Sequence, residues 1–202
     1  MNIFHKKGNI SNSGGEKIEY DIRFPENIQK KIPALFLVHG FKGFKDWGFF
    51  PHAAERLAEG ALTTAFNFSL NGMKSGSDLV EHPEKFARNT ISRQLKDLQE
   101  IIAAFKKGSL YNTAFLNRYW DGNIYLMGHS LGGGISIIFA GENDFINKIT
   151  VWASVAKFDR YSRRQKEQWK KDGYIEFTHS RTGQTIRMNK DYIADMEAHP
   201  AR

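Results

Sequence analysis

A continuous apolar run at positions 34–38, Ala-Leu-Phe-Leu-Val, constrains the fold of this chain most strongly. It lies between Pro33 and the dipeptide His39-Gly40, so residues that favour loops and turns bound it on both sides. A strand without polar positions is covered on both faces, and such strands occur almost only in parallel sheets with helices on each side. The run therefore predicts an α/β protein.

Strand-like and helix-like segments alternate along most of the chain. Apolar patterning indicates strands at 16–24, 33–39, 61–68, 123–127 and 146–156, and helices at 50–58, 84–107 and 135–140. Such alternation is typical of a doubly wound, mostly parallel sheet. With 202 residues, the chain is long enough for one domain with a single core.

The pattern changes after residue 156. A basic helix is expected at 158–171, two alternating strands at 174–179 and 185–187, and a short helix at 190–198. A helix followed by a hairpin at the edge of a sheet would form a natural lid. We therefore expect three parts, namely a core at 1–156, a lid-like insertion at 157–187 and the start of the return to the core at 188–202.

The chain contains no cysteine, which excludes disulfides, thiolate nucleophiles and cysteine-ligated metal sites. Its N-terminus lacks the apolar run of a signal peptide, and no stretch approaches the roughly 18 apolar residues of a membrane helix. We expect a soluble, cytoplasmic protein without a membrane partner. His52 and His82 lack metal-ligand spacing, and the glycines at 132–134 lack the lysine of a phosphate-binding loop, so no metal or cofactor is expected.

The formal net charge of +7 raises the question of an anionic partner. Seven basic side chains and three acidic ones lie at 157–172, which gives this segment a net charge of +4. The segment is either a solvated helix face or a surface for an acidic partner. No nucleic-acid-binding motif accompanies it, so we do not expect a nucleic-acid partner.

The pentapeptide Gly-His-Ser-Leu-Gly at 128–132 follows a predicted strand and precedes a predicted helix. In that position G-x-S-x-G is typical of a nucleophile elbow, a sharp turn that exposes a serine hydroxyl above a sheet and needs small flanking residues. Ser130 is therefore the candidate nucleophile. We interpret His129 as structural, because an elbow directs its side chain away from the serine.

The tripeptide His39-Gly40-Phe41 directly follows the first buried strand. A serine that attacks a carbonyl group requires backbone N–H donors for the developing oxyanion, and the loss of one donor costs roughly 3 to 4 kcal/mol. Leu131, directly after the serine, would supply one N–H group and Phe41 the other. We interpret His39 as structural rather than as a general base.

Aromatic side chains cluster just after this tripeptide. They are Phe41, Phe44, Trp47, Phe49 and Phe50. Aromatic residues near the start of a helix are either part of the core or the wall of an apolar pocket, and the sequence leaves both interpretations open.

Three motifs occur in order, FLVHGFKG at 36–43, AFNFSLNGMKSGSD at 65–78 and GHSLGG at 128–133. Together they resemble the α/β-hydrolase superfamily, nearest to its bacterial dienelactone-hydrolase-like and serine-peptidase-like esterase branches. The resemblance covers about residues 16 to 156. It implies a catalytic serine, a lid, and an ester, thioester or other small acyl substrate, and it places the loop at 67–77 near the active site.

In this superfamily the nucleophile is followed along the chain by an Asp or Glu and then by a His, on loops after later strands. Asp195 and His199 would form a helical i, i+4 pair, but a chain terminus is a poor place to fix an imidazole. His179 falls in the predicted hairpin. We expect the triad acid and base to lie beyond Arg202, so that the fold is incomplete at its C-terminal end. An exposed sheet edge would then favour a homo-oligomer.

The expected function is that of a serine hydrolase that acts on a small-molecule acyl substrate through a Ser130 acyl-enzyme, with negligible turnover in this 202-residue form. Acyl transfer to an acceptor other than water would use the same residues. The alternative is a non-catalytic binding domain on the same scaffold, with the basic segment at 157–172 as its binding surface.

Overall fold

The computed structural model describes residues 1–74, 77–179 and 182–199 and contains a central six-stranded sheet. Its strands are β1 (Ile3–Ser11), β2 (Lys17–Pro25), β3 (Ile32–Val38), β4 (Leu62–Phe66), β5 (Trp120–His129) and β6 (Lys148–Trp152). They lie in the order β1-β2-β4-β3-β5-β6. Strands β3 to β6 are parallel to one another, whereas β2 is antiparallel to both of its neighbours.

Helices cover both faces of this sheet. They are α1 (Phe50–Leu57), α2 (Pro83–Ala87), α3 (Ile91–Lys106), α4 (Thr113–Tyr119) and α5 (Leu131–Glu142), followed by α6 (Arg163–Asp172) and α7 (Asp191–Glu197). The β3 side chains alternate between the two faces, because Phe36 packs against Phe105 of α3, whereas Leu37 belongs to the cluster that contains Phe50 of α1. The predicted doubly wound, mostly parallel sheet is therefore confirmed.

The structure differs from the sequence-based expectation in three places. The single helix predicted at 84–107 is divided into α2 and α3, because Thr90 caps α3 by accepting a hydrogen bond from the N–H of Arg93 at 3.2 Å. Strand β1 and helix α4 were not predicted. β1 has no fully buried side chain, and α4 buries only Leu116, so neither carries a strong apolar period.

The segment after residue 156 folds as α6, a hairpin of β7 (Tyr174–Thr178) and β8 (Thr185–Asn189), and α7. Its buried side chains, among them Trp169, Met188 and Ile193, belong to the same apolar cluster as the main sheet. The Trp169 indole N–H donates to the Met188 carbonyl oxygen at 2.9 Å and ties α6 to the hairpin. The predicted boundaries of the lid-like insertion, 157–187, remain a prediction.

Residues 75–76 of the predicted active-site loop, 180–181 of the hairpin turn and 200–202 of the predicted C-terminal part lie outside the described residues. Within the described residues, no helix is both long enough and apolar enough to cross a lipid bilayer.

Candidate active site

Ser130 lies at the junction of β5 and α5 in a backbone conformation that non-glycine residues rarely adopt. Its φ is +54° and its ψ is −118°. Its N–H donates to the carbonyl oxygen of Trp152 in β6 at 2.9 Å, so the turn is anchored to the neighbouring strand. The side chain is half-buried. Ser130 thus lies in a tight turn between a strand and a helix, and its expected role in a nucleophile elbow remains a prediction.

Glycines on either side of the serine are required by close backbone contacts. A Cβ atom at Gly128 would lie 2.4 Å from the Gly132 carbonyl oxygen, and a Cβ atom at Gly132 would lie 2.3 Å from the carbonyl oxygen of Val38. The first turn of α5 therefore presses against the ends of β5 and β3. Any side chain at these two positions would push the elbow away from the sheet.

Strained backbone is concentrated at one edge of the sheet. Among the described residues, the non-glycine residues with positive φ are Lys42 at +57°, Ser130 at +54° and Ala153 at +45°. They follow the carboxyl ends of β3, β5 and β6. Ligands of open α/β sheets bind at the carboxyl ends of the strands, and strained residues persist where the surrounding structure holds them.

The loop after β3 lies directly against the serine. A Cβ atom at Gly40 would lie 3.0 Å from the Ser130 Cβ and 3.5 Å from the Leu131 nitrogen. Neither Phe41 nor Leu131 donates its backbone N–H to another of the described residues. The N–H group of Phe41, on the loop after β3, and that of Leu131, at the start of α5, thus have no acceptor among the described residues.

His39 holds this loop in place. Its Nε2 accepts a hydrogen bond from the Phe68 N–H at 3.2 Å, and its Nδ1 donates to the Gly40 carbonyl oxygen at 3.0 Å. Burial, with a smaller contribution from nearby His129, lowers the pKa of His39 to about 4 against the opposing effect of the hydrogen bond to Gly40. The imidazole is therefore neutral at pH 7, and both of its nitrogens are occupied by backbone groups.

The structure also places His129 and the five aromatic residues that the sequence singles out near the serine. The ring of His129 stacks on Trp47 with centroids 5.6 Å apart, and burial lowers its pKa. Of the five aromatic residues after the tripeptide, Phe44 and Phe50 are buried in the core, whereas Phe41, Trp47 and Phe49 are only partly buried.

Asp195 and His199, the candidate acid and base, lie together at the start of α3 rather than at Ser130. His199 Nε2 is 2.9 Å from the Ser92 hydroxyl, and Asp195 Oδ2 accepts the Ser92 N–H at 3.1 Å, so both bind the first turn of α3. His179 is buried and its Nδ1 is 3.0 Å from the Thr182 hydroxyl. Within the described residues, no histidine forms a hydrogen bond with the Ser130 hydroxyl.

The β7–β8 hairpin packs over the same edge of the sheet. Phe41 contacts Phe177 of β7, with ring centroids 5.3 Å apart, and Phe86 of α2 at 5.5 Å. The side-chain amide of Gln184 accepts the Val80 N–H at 2.9 Å and donates to the Val80 carbonyl oxygen at 2.8 Å. The hairpin therefore clamps both the loop after β3 and the chain before α2.

Sequence reasoning missed the buried carboxylate that supports the loop after β4. Asp97 of α3 is fully buried, and its Oδ2 accepts both the N–H and the hydroxyl of Ser69 at 2.8 Å. Its Oδ1 accepts from Asn12 at 3.1 Å and pairs with Arg93 at 2.8 Å. Burial raises the pKa of Asp97. A signal existed in the sequence, because polar Gln94 and Asp97 lie on the face of α3 that carries Leu98 and Ile101.

Metal binding finds no support in the side-chain arrangement. Across residues 1–74, 77–179 and 182–199, no group of three or more His, Asp and Glu side chains could hold a metal ion.

Comparison with known proteins relates the chain to solved structures. No protein-family model matches it, and no curated protein matches it in sequence. A protein from Agrobacterium vitis superposes with a TM-score of 0.69 at 17% identity, over 99% of this chain and 73% of that one. GrgF, an alpha/beta hydrolase from a Penicillium species, gives 0.63 at 17% identity over 98% and 68%. Est1E from Butyrivibrio proteoclasticus, solved with ferulic acid bound, gives 0.63 at 20% identity over 95% and 70%.

The matching proteins are longer than this chain. It spans 60% of a Pseudomonas aeruginosa protein, 51% of DcsB and 44% of the bacterial brefeldin A esterase. At identities of 20% or less, these superpositions establish the backbone arrangement rather than the chemistry. The element order, the mostly parallel sheet and the superpositions agree, and the chain has the α/β-hydrolase fold.

Proposed function

We propose that this chain carries the nucleophile and the oxyanion hole of a serine hydrolase that cleaves small esters or related acyl compounds. Ser130 Oγ would attack the substrate carbonyl carbon, and the N–H groups of Phe41 and Leu131 would stabilise the oxyanion. Departure of the alcohol would leave an acyl-enzyme, which water would hydrolyse. The proposal rests mainly on the positive-φ backbone of Ser130, which packs against Gly40.

Other observations give additional support to the proposed hydrolase function. The N–H groups of Phe41 and Leu131 have no acceptor among the described residues, which suits donors reserved for a ligand. GrgF is an alpha/beta hydrolase, the brefeldin A protein is an esterase, and Est1E binds ferulic acid. In this proposal the β7–β8 hairpin is the lid, and Phe41, Phe86 and Phe177 form an apolar wall beside the acyl group.

The proposal includes a low rate for this 202-residue chain. None of its described histidines forms a hydrogen bond with the Ser130 hydroxyl, and His39 and His199 bind other groups. Loss of the triad histidine in a well-studied serine protease lowers turnover on the order of a million-fold. We expect the same class of deficit here.

Active-site labelling with a fluorophosphonate, read by intact mass, tests this proposal. The probe should label the wild-type chain slowly, and added imidazole should accelerate the labelling by acting as an external base. The Ser130→Ala variant should remain unlabelled under both conditions. Ser154→Ala is the matched control, because Ser154 is a half-buried serine on the neighbouring loop, and it should be labelled like the wild type.

Hydrolysis of p-nitrophenyl acetate and of a ferulate ester should be measured on the same samples. Ser130-dependent turnover without imidazole would show that a base exists within the chain and would overturn the proposed low rate. Equal labelling of the folded wild-type and Ser130→Ala proteins, with imidazole present, would overturn the proposed nucleophile.

The binding of an acidic partner is a second candidate function. It is favoured because the acidic side chains of the basic segment bind other side chains of the segment and leave some of its basic side chains exposed. The acids of the segment bind its own side chains, Asp159 with Lys166, Glu167 with Arg163 and Asp172 with Gln168. Arg164 and Lys171 are exposed on the same helix. Salt-sensitive binding to polyglutamate should weaken in the Arg164→Glu/Lys171→Glu variant. Binding that is unchanged in this variant would contradict the function.

A further inference from the structure

The loop after β3 carries Phe41 and begins at a fixed point. At its start, both nitrogens of His39 bind backbone groups. The next residues form a tight turn, in which the Gly43 N–H donates to the Gly40 carbonyl oxygen at 3.0 Å and Lys42 has a φ of +57°. Because Phe41 lies inside this turn, the direction of its N–H also depends on what holds the turn at its far end.

Lys45 holds the far end of the turn by two groups. Its backbone N–H donates to Asn67 Oδ1 at 2.7 Å, which joins it to the loop after β4. Its Nζ lies 2.9 Å from Asp21 Oδ1 and donates to Asp46 Oδ2 at 2.6 Å. The side chains of Lys45 and Asp21 are 2% and 1% exposed, so this ion pair is withdrawn from water. The ammonium cannot leave without separating a buried pair of charges, which is strongly unfavourable.

Asp21 anchors this pair to the central sheet. It lies in the middle of β2, within the ladders that β2 forms with both β1 and β4. Its Oδ2 accepts a hydrogen bond from Arg23 at 3.1 Å and lies 2.9 Å from His5 Nε2. Burial alone would raise the pKa of Asp21, but the Lys45 ammonium, with His5 and Arg23, lowers it. The carboxylate is therefore ionised at pH 7 and attracts Lys45 from a fixed place in the sheet.

We infer that Lys45 and Asp21 are positioning residues for the oxyanion hole and set the direction of the Phe41 N–H through the turn at 40–43. The inference rests on the proposed function, which gives this N–H its role. Oxyanion donors act only where they are already directed at the developing charge, and a displacement of about 1 Å can lower the rate about a hundredfold. A purely structural ion pair would change stability without this effect on the rate.

Labelling kinetics with the fluorophosphonate, at a fixed concentration of imidazole, test the inference. Lys45→Met removes the ammonium, keeps an unbranched apolar stem and leaves Asp21 paired with Arg23. Its maximal labelling rate should fall about tenfold or more. The probe concentration that gives half of the maximal rate should stay unchanged, because the donor acts on the developing charge. Asp46→Asn is the matched control. Asp46 lies on the same loop as Lys45 and cannot tie it to the sheet, so this variant should be labelled like the wild type.

A control for stability alone is Leu116→Ala, which removes a buried side chain just before β5, whereas Ser130 directly follows that strand. It should lower stability in urea at least as much as Lys45→Met and leave the maximal labelling rate unchanged. Hydrogen–deuterium exchange gives a readout that needs no chemistry at Ser130. The amides of residues 40–46 should exchange faster in Lys45→Met than in the wild type or in Asp46→Asn.

The possible outcomes separate this inference from the proposed function. Labelling of Lys45→Met at the wild-type rate, unchanged exchange at 40–46, or an equal loss of rate in Leu116→Ala would refute the positioning role. Wild-type labelling that does not depend on Ser130 would refute the proposed function instead. In that case the exchange measurement would still decide whether Lys45 and Asp21 hold the turn.

Discussion

The backbone N–H of Phe68 donates a hydrogen bond to Nε2 of His39 across 3.2 Å, and this bond joins the loop after β4 to the loop after β3. An imidazole that accepts at Nε2 must carry its proton at Nδ1, which here faces the Gly40 carbonyl oxygen. Protonation of Nε2 would place two donors face to face in a buried site. The placement of Gly40, next to Ser130, therefore depends on a neutral histidine.

Stability should fall in mildly acidic solution because of His39. Its pKa of about 4 in the folded protein lies below the ordinary 6.5, so the unfolded chain takes up the proton first. The stability contribution is present above pH 6.5 and is lost as the pH falls towards 4. We expect a loss of about 2 kcal/mol between pH 7 and pH 5 in urea unfolding. His39→Asn should show a shallower dependence over this interval, and an unchanged slope would contradict the assignment.

Alanine substitutions at two glycines of α5 should have opposite effects on stability. Gly132→Ala places a Cβ atom 2.3 Å from the Val38 carbonyl oxygen, so we expect a loss of about 3 kcal/mol. At Gly141 no atom lies within 4 Å of the position that a Cβ would take, and Gly141→Ala should raise stability by about 0.5–1 kcal/mol. Thermal unfolding of both variants measures the contrast. Similar losses in the two would show that the close contact with β3 is not the cause.

The positive φ of Ser130 should lower the stability of the folded protein by a measurable amount. Alanine keeps the unfavourable positive φ, whereas glycine adopts it readily but is more flexible when unfolded. Ser130→Gly should therefore be more stable than Ser130→Ala by about 1 kcal/mol in denaturant titrations. A glycine variant that is less stable than the alanine variant would argue against strain at the elbow.

Removal of the buried Asp97 carboxylate should lower the stability of the protein far more than removal of a carboxylate on the surface. Asp97→Ala leaves the Ser69 N–H and the Asn12 side-chain amide without their acceptor in a buried site, while Arg93 keeps only Glu100, and we expect a loss of about 3–5 kcal/mol. Glu55→Ala, on the exposed face of α1, should change stability by less than about 0.5 kcal/mol. Urea unfolding at pH 7 compares the two, and an equal effect would mean that Asp97 has no special structural role.

The sequence allowed prediction of those features that local pattern determines. The apolar run of β3 constrains the backbone over a few residues, so the sheet type could be anticipated. The role of Ser130 as a nucleophile remains a prediction. Contacts between distant residues could not be read in this way. Asp97 and Ser69 are 28 positions apart, and only the fold brings them together.

Weakly apolar elements were missed for a related reason. Strand β1 forms a continuous antiparallel ladder with β2, from Ile3 opposite Pro25 to Ser11 opposite Lys17, and its side chains are at most partly buried. Backbone pairing of this kind leaves little trace in the sequence. The same applies to the contact of the hairpin with Val80, which uses a single glutamine side chain.

The clamp between Gln184 and Val80 has a consequence for the order of events during synthesis. The two residues are 104 positions apart, so Gln184 leaves the ribosome long after Val80 has emerged. Strands β3 and β5, which precede His39 and Ser130, also emerge before the hairpin does. The contact that closes the rim of the candidate site therefore cannot form until the hairpin has been synthesised.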